Sequence, residues 1–189
     1  MNTRRHEIFA AVAMGMKGRL EVKAAASDSD PTEILLIGPV GASYWSDEGI
    51  REKEVIAAID AVPAGKRIVL GINSPGGSVQ DGLGIYNAIK RRAGDITARI
   101  DGYACSIASV FPLAAGSIVS PKSAVWMIHN PWVGTVGDAN EHRRSIAMLE
   151  ANEKVLAAIY SEHTGHSREE CRAAMAQETW MTGEEASEW

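Results

Sequence analysis

The strongest constraint in this 189-residue chain is a repeated alternation. Short apolar runs at 33–37 (EILLI), 67–73 (RIVLGIN), 96–100 (ITARI) and 124–128 (AVWMI) are separated by stretches of helical spacing or small residues. Runs this short, bounded by turn residues, fit buried strands. Between the first two, Ile50, Val55, Ile56, Ala57, Ile59 and Val62 recur at roughly helical intervals. Trp45, Ser46 and Asp47 open that helix, with Ser46 as the expected N-cap, and Pro63, Ala64 and Gly65 stop it. Residues 79–92 predict a second helix, with Leu83, Tyr86, Ile89 and Lys90 along one side. Strands alternating with helices predict an α/β fold, a mostly parallel sheet flanked by helices. Ligands in such folds sit beyond the carboxyl ends of the strands.

The flanks are read in the same way. Residues 1–30 are expected to be an N-terminal arm, patternless over 1–18, strand-like over 19–24 (RLEVKA) and turn-forming over 25–32. Residues 31–189 form the single expected domain. Residues 102–115 are a small-residue segment that starts with a tight turn, and 118–119 are a short strand. The longest helical pattern covers 138–163, with Ile146, Leu149, Val155, Leu156 and Ile159 apolar; shorter helices follow at 167–177 and 183–189. Trp189 falls inside a helical pattern, which leaves room for further chain beyond it.

Composition removes several function classes. A net charge of −5 advertises no surface for nucleic acid or anionic lipid. No apolar run approaches the roughly 20 residues needed to span a bilayer. Arg4 and Arg5 precede an apolar stretch at 8–16, but it is short, broken by Gly15 and followed by Lys17, unlike a signal peptide. Cys105 and Cys171 have neither metal-ligand nor disulfide-framework spacing, which suits a reducing cytosol. His6, His142, His163 and His166 suggest no metal site, and no cofactor is expected. A cytoplasmic chain is the expectation.

Polar residues collect at the expected strand ends. Asn73, Ser74, Pro75, Gly76 and Gly77 follow the second run. Proline fixes one φ and the glycines free the next two positions, so the loop can present backbone N–H groups to an anion. It lacks the lysine of a phosphate-binding loop. Ser106 lies in GYACSIAS at 102–109, where a serine on a strand-to-helix turn projects its hydroxyl. Read alone, this segment better fits a small-residue helix packed on the sheet, with Ser106 bonded back to a carbonyl. His129 ends the fourth run in MIHNP at 127–131. A serine nucleophile needs an adjacent base, and histidine is the usual one. Asp101, Asp138 and Glu178 are the candidates for a third group that orients the imidazole. Cys105 is read as a small buried residue.

INSPGG at 72–77, GYACSIAS at 102–109 and MIHNP at 127–131 stand in an order that resembles the ATP-dependent Clp protease proteolytic subunit family. The long helical pattern and the closing ETWMTGEEASEW at 178–189 are similar too, so the likeness covers about 33–189. It implies a ClpP/crotonase-like fold with a long protruding interface helix. It also implies a serine endopeptidase with Ser106 as nucleophile and His129 as base. Gly77 and Ile107 match the oxyanion-hole positions, and Ser74, Pro75 and Gly76 the substrate-binding loop. Glu178 falls where the family carries the triad aspartate; being one methylene longer, it requires the backbone to retreat to hold the same hydrogen bond.

Segments around Trp45, around Asn130, Pro131 and Trp132, and around Glu178, Thr179 and Trp180 look more like the head-maturation proteases of tailed phages and prophages. The resemblance implies protein or peptide substrates and a homo-oligomeric ring, with capsid or scaffold proteins or a Clp ATPase as partners. Two other readings share the fold: an acyl-CoA hydratase or isomerase, and a non-enzymatic ring component with a vestigial site.

Overall fold

The computed structural model describes residues 17–41 and 49–189. The expected helix opening at Trp45, Ser46 and Asp47 lies outside these residues. Among the described residues seven strands form one sheet: β1 (Arg19–Lys23), β2 (Thr32–Ile37), β3 (Ile68–Ser74), β4 (Ile96–Cys105), β5 (Ser117–Val119), β6 (Val125–Ile128) and β7 (Thr179–Thr182). Their order is β1-β2-β3-β4-β6-β7, with β5 beside the first half of β4. Only the outer pairs, β1 with β2 and β6 with β7, are antiparallel. The helices are α1 (Glu52–Asp60), α2 (Val79–Arg91), α3 (Val110–Leu113), α4 (Ala139–Thr164), α5 (Arg168–Ala176) and α6 (Gly183–Glu188). The mixed α/β architecture expected from the alternation is present, with its long helix.

The central strands are apolar because they are covered. Ile34 and Leu36 of β2, Ile68, Leu70 and Ile72 of β3, and Ile96, Ala98 and Ile100 of β4 are at most 2% exposed. Each such aliphatic side chain stabilises the fold by roughly 1.5–3 kcal/mol when fully buried. On α1, Val55 and Ile59 fall one helical turn apart and pack inward; on α2, Ile85 and Ile89 do the same. Ser78 caps α2 by accepting from the Asp81 N–H.

Two local expectations are corrected. Ile50 is not helical: it bridges Val40, with Ile50 N–H donating to Pro39 and Gly41 N–H donating to Ile50, each at 2.8 Å. Helix α1 therefore starts at Glu52, behind an extended Arg51. Second, Gly102 does not begin a turn. Strand β4 runs on to Cys105, and its pairing with β3 shifts between Ile72 opposite Ile100 and Ser74 opposite Ala104. The Asn73 side chain fills the irregularity by accepting from the Tyr103 N–H at 3.1 Å. A side chain at position 102 would meet it, since a Cβ there would lie 2.7 Å from Asn73 Oδ1. Residues 179–182, to which the sequence assigns no element, are a strand, β7.

Helix α4 has 26 residues, so it is about 39 Å long. Its buried residues, Leu156, Ala157, Ile159 and Tyr160, all lie toward its C-terminal end. Toward the other end Ile146 and Met148 are about half exposed, so α4 projects beyond the core. Asp138 and Glu141 close a capping box at its start, and Gly165, at φ 78°, ends it in the left-handed region. Among the described residues no helix is long and apolar enough to cross a membrane.

Candidate active site

The turn after β3 is held by a neighbouring segment. Val40 N–H donates to the Gly76 carbonyl and Ser78 N–H donates to the Val40 carbonyl, both at 2.8 Å. Ser74, fully buried, accepts from the Gly76 N–H at 3.1 Å. Gly76 and Gly77 sit at φ 94° and φ 148°, conformations that L side chains rarely adopt. A Cβ on Gly77 would lie 2.1 Å from the Val40 oxygen. Because a trans peptide sets its N–H opposite its C=O, the Gly77 N–H points away from Val40. It donates to nothing among the described residues.

The turn after β4 carries the serine. Ser106 follows the strand directly, opens a short 3-10 turn (Ser106–Ser109) and has φ 54°. For a non-glycine residue such a conformation costs of order 1–3 kcal/mol and persists only where surroundings hold it. The surroundings are close: a Cβ on Gly76 would lie 2.6 Å from Ser106 Cβ and 3.1 Å from its Oγ. The Ile107 N–H, like that of Gly77, donates to nothing among the described residues. Beneath it, Gly82 of α2 makes room for the Ile107 side chain, which a Cβ at 82 would meet at 2.1 Å.

His129 leaves the end of β6 and is 8% exposed. Its Nε2 lies 2.8 Å from Ser106 Oγ. The sequence-predicted serine and histidine, 23 residues apart, are thus brought into hydrogen-bond contact. Its other ring nitrogen, Nδ1, is buried. Antiparallel pairing sets Ile128 opposite Thr179, so Glu178 is the next residue across from His129. One carbonyl anchors both segments: Met175 accepts from the Asn130 N–H and the Glu178 N–H, each at 3.1 Å. Glu178 has φ 53°, is half-buried, and its Oε1 accepts from the Trp180 indole at 3.1 Å.

The other acidic candidates are engaged elsewhere. Asp101 takes the Arg99 guanidinium on both oxygens, at 2.6 and 3.1 Å. Asp138 accepts from the Asn140 and Glu141 N–H groups at the start of α4. Cys105 is fully buried, and burial pushes its thiol up to about 12, so it stays protonated near neutral pH.

Two residues of the site went unread in the sequence. Ser109, fully buried, donates to the Ser106 carbonyl at 2.6 Å and lies 2.7 Å from the Tyr160 hydroxyl. The repeat of serine three positions after Ser106 was the available signal for the first; nothing in the spacing marks Tyr160, which arrives from α4.

A family model described as Clp protease matches residues 46–189. The ATP-dependent Clp protease proteolytic subunit of Bacteroides fragilis is 37% identical over 134 residues, covering 69% of this chain and 64% of that subunit. Subunit 1 of Chlamydia abortus is 37% identical over 133 residues, covering 66% of this chain and 67% of the relative. Subunit 1 of Chlamydia muridarum is 34% identical over 155 residues, covering 75% and 79%. The matched stretch contains the serine, the histidine and both turns that face them. The chain belongs to the Clp protease family.

Proposed function

We propose that this chain is a serine endopeptidase of the Clp type. The observation that carries the reading is the 2.8 Å contact between His129 Nε2 and a Ser106 hydroxyl held at φ 54° on the tip of a strand. In this reading Ser106 Oγ attacks a peptide carbonyl while His129 Nε2 takes its proton. The Gly77 and Ile107 N–H groups hold the tetrahedral oxyanion. His129 returns the proton to the leaving amine, and water then hydrolyses the acyl-enzyme with His129 again as base. Glu178 orients the imidazole through Nδ1; its place across from His129 and the commitments of Asp101 and Asp138 support it over the other acids. Ser74, Pro75 and Gly76 form the loop that substrate lies against.

A fluorophosphonate probe should label Ser106 in the folded full chain and fail on Ser106→Ala. A folded preparation that stays unlabelled overturns the reading.

Further parts of the proposal concern context. Residues 31–189 form the peptidase domain, with β1 an edge strand lent by the arm before it. The chain works as a homo-oligomeric ring, a reading supported by Ile146, Met148 and Val155 exposed on α4 and by Trp132, Val133 and Val136 exposed before it. Its substrates are proteins, in the cytoplasm of a bacterium or an infected host; capsid or scaffold processing is favoured over turnover with a Clp ATPase. Cleavage of a co-expressed scaffold protein tests that preference.

A vestigial site is the second reading, favoured by one observation: the Glu178 carboxylate is bonded to Trp180. Loss of labelling in Glu178→Gln but not in Asp138→Asn argues against it.

A further inference from the structure

The Ser106 carbonyl and the Ile107 N–H belong to one planar peptide unit, so whatever holds the oxygen also aims the N–H. The 3-10 turn engages this oxygen through the backbone, and the Ser109 hydroxyl adds a side-chain bond to it at 2.6 Å. A carbonyl only accepts, so the single Ser109 proton is committed to that bond. Ser109 Oγ also lies 2.7 Å from the Tyr160 hydroxyl. With its own proton spent, Ser109 can only accept there, and Tyr160 must be the donor. The chain of protons therefore runs one way, from the phenol on α4 to Ser109 and on to the Ser106 carbonyl.

Resting on the peptidase reading above, we propose that Tyr160 and Ser109 are positioning residues that fix the Ser106 peptide plane, and with it the direction of the Ile107 oxyanion donor. Ser109 is 0% and Tyr160 3% exposed, so water does not compete for these bonds. Burial holds the phenol far above its ordinary range, with the Ser109 contact opposing, so Tyr160 remains a donor at every pH where the enzyme would work. The Tyr160 ring is itself fixed by the edge of Trp189, with centroids 6.1 Å apart. The arrangement mirrors the other proposed donor, where Val40 holds the Gly76 carbonyl and so aims the Gly77 N–H.

The test uses the full chain and a fluorophosphonate probe, which needs no knowledge of the natural substrate. Inactivation kinetics are measured for wild type, Tyr160→Phe, Ser109→Ala and the double variant, with thermal melts alongside. Tyr160→Phe keeps the ring and its packing. Each single variant should lower kinact by about tenfold, with KI within about twofold of wild type. The double variant should lose no more than the worse single, because both changes break one chain. A purely structural role would lower Tm without this split. Tyr160→Phe reacting at the wild-type kinact, or losses that multiply in the double variant, overturns the proposal and leaves the peptidase reading standing. A folded wild type that does not react overturns both.

Discussion

Two adjacent strands, β3 and β4, end in turns that meet each other, and the turns are built on opposite principles. The turn after β3 reaches its unusual dihedrals with glycines, Gly76 and Gly77, and is held by backbone bonds to Val40. The turn after β4 reaches φ 54° with a serine and is held by side chains, His129 on the hydroxyl and Ser109 on the carbonyl. The first turn is relaxed; the second stores strain that its neighbours offset. In the proposed chemistry the relaxed turn supplies an N–H and a surface for substrate, whereas the strained one must present a reacting oxygen. The first task needs no side chain at the apex. The second needs a side chain at the apex, and the conformational cost comes with it.

The largest way to break this contrast is Gly77→Ala. A methyl 2.1 Å from the Val40 oxygen cannot be relieved by a flexible side chain, and φ 148° is unsuited to alanine. We expect loss of more than about 3 kcal/mol in urea denaturation, with probe labelling abolished. Next is Gly82→Ala, where the clash is with the Ile107 side chain. Overpacking of this kind costs about 1–3 kcal/mol, and the shift of Ile107 should slow labelling at least tenfold. Ser106→Gly should move the other way. It abolishes labelling, yet it relieves the strain and should stabilise the chain by about 1 kcal/mol; a lower urea midpoint than wild type would contradict the strained-turn account. The smallest effect concerns Cys105. A thiol raised to about 12 is neutral at pH 8, so iodoacetamide should leave Cys105 of the folded protein unmodified there, with its alkylation growing only as pH climbs toward that value. Cys105→Ala should keep labelling within about twofold.

The same contrast explains what was legible in the sequence. Strands buried on both faces announce themselves as apolar runs, and β2, β3 and β6 fall within a residue or so of their expected places. Ser74, Pro75, Gly76 and Gly77 were legible because glycine and proline encode their dihedrals locally. Ser106 was legible only by its company, since nothing about a serine declares a positive φ. The elements misread or left unassigned are those that depend on distant partners. Ile50 left the helix because Pro39 and Gly41 recruit its backbone. Strand β7 has four residues, of which only Met181 is buried, and it exists because β6 offers an edge to pair with. Tyr160 joins the site across 51 residues of chain from Ser109, a contact that no local spacing encodes.

The irregularity in β4 has a consequence of parity. Between the pairs Ile72 with Ile100 and Ser74 with Ala104, β3 advances by two residues and β4 by four. The surplus is even, so Ala98, Ile100 and Ala104 all remain inward on a strand whose side chains alternate. An odd surplus, unless taken up by a bulge, would swap the two faces beyond the irregularity and present position 106 to the wrong side of the sheet. Residues 101–103 can therefore change length in twos, or by one only where a bulge restores the two faces.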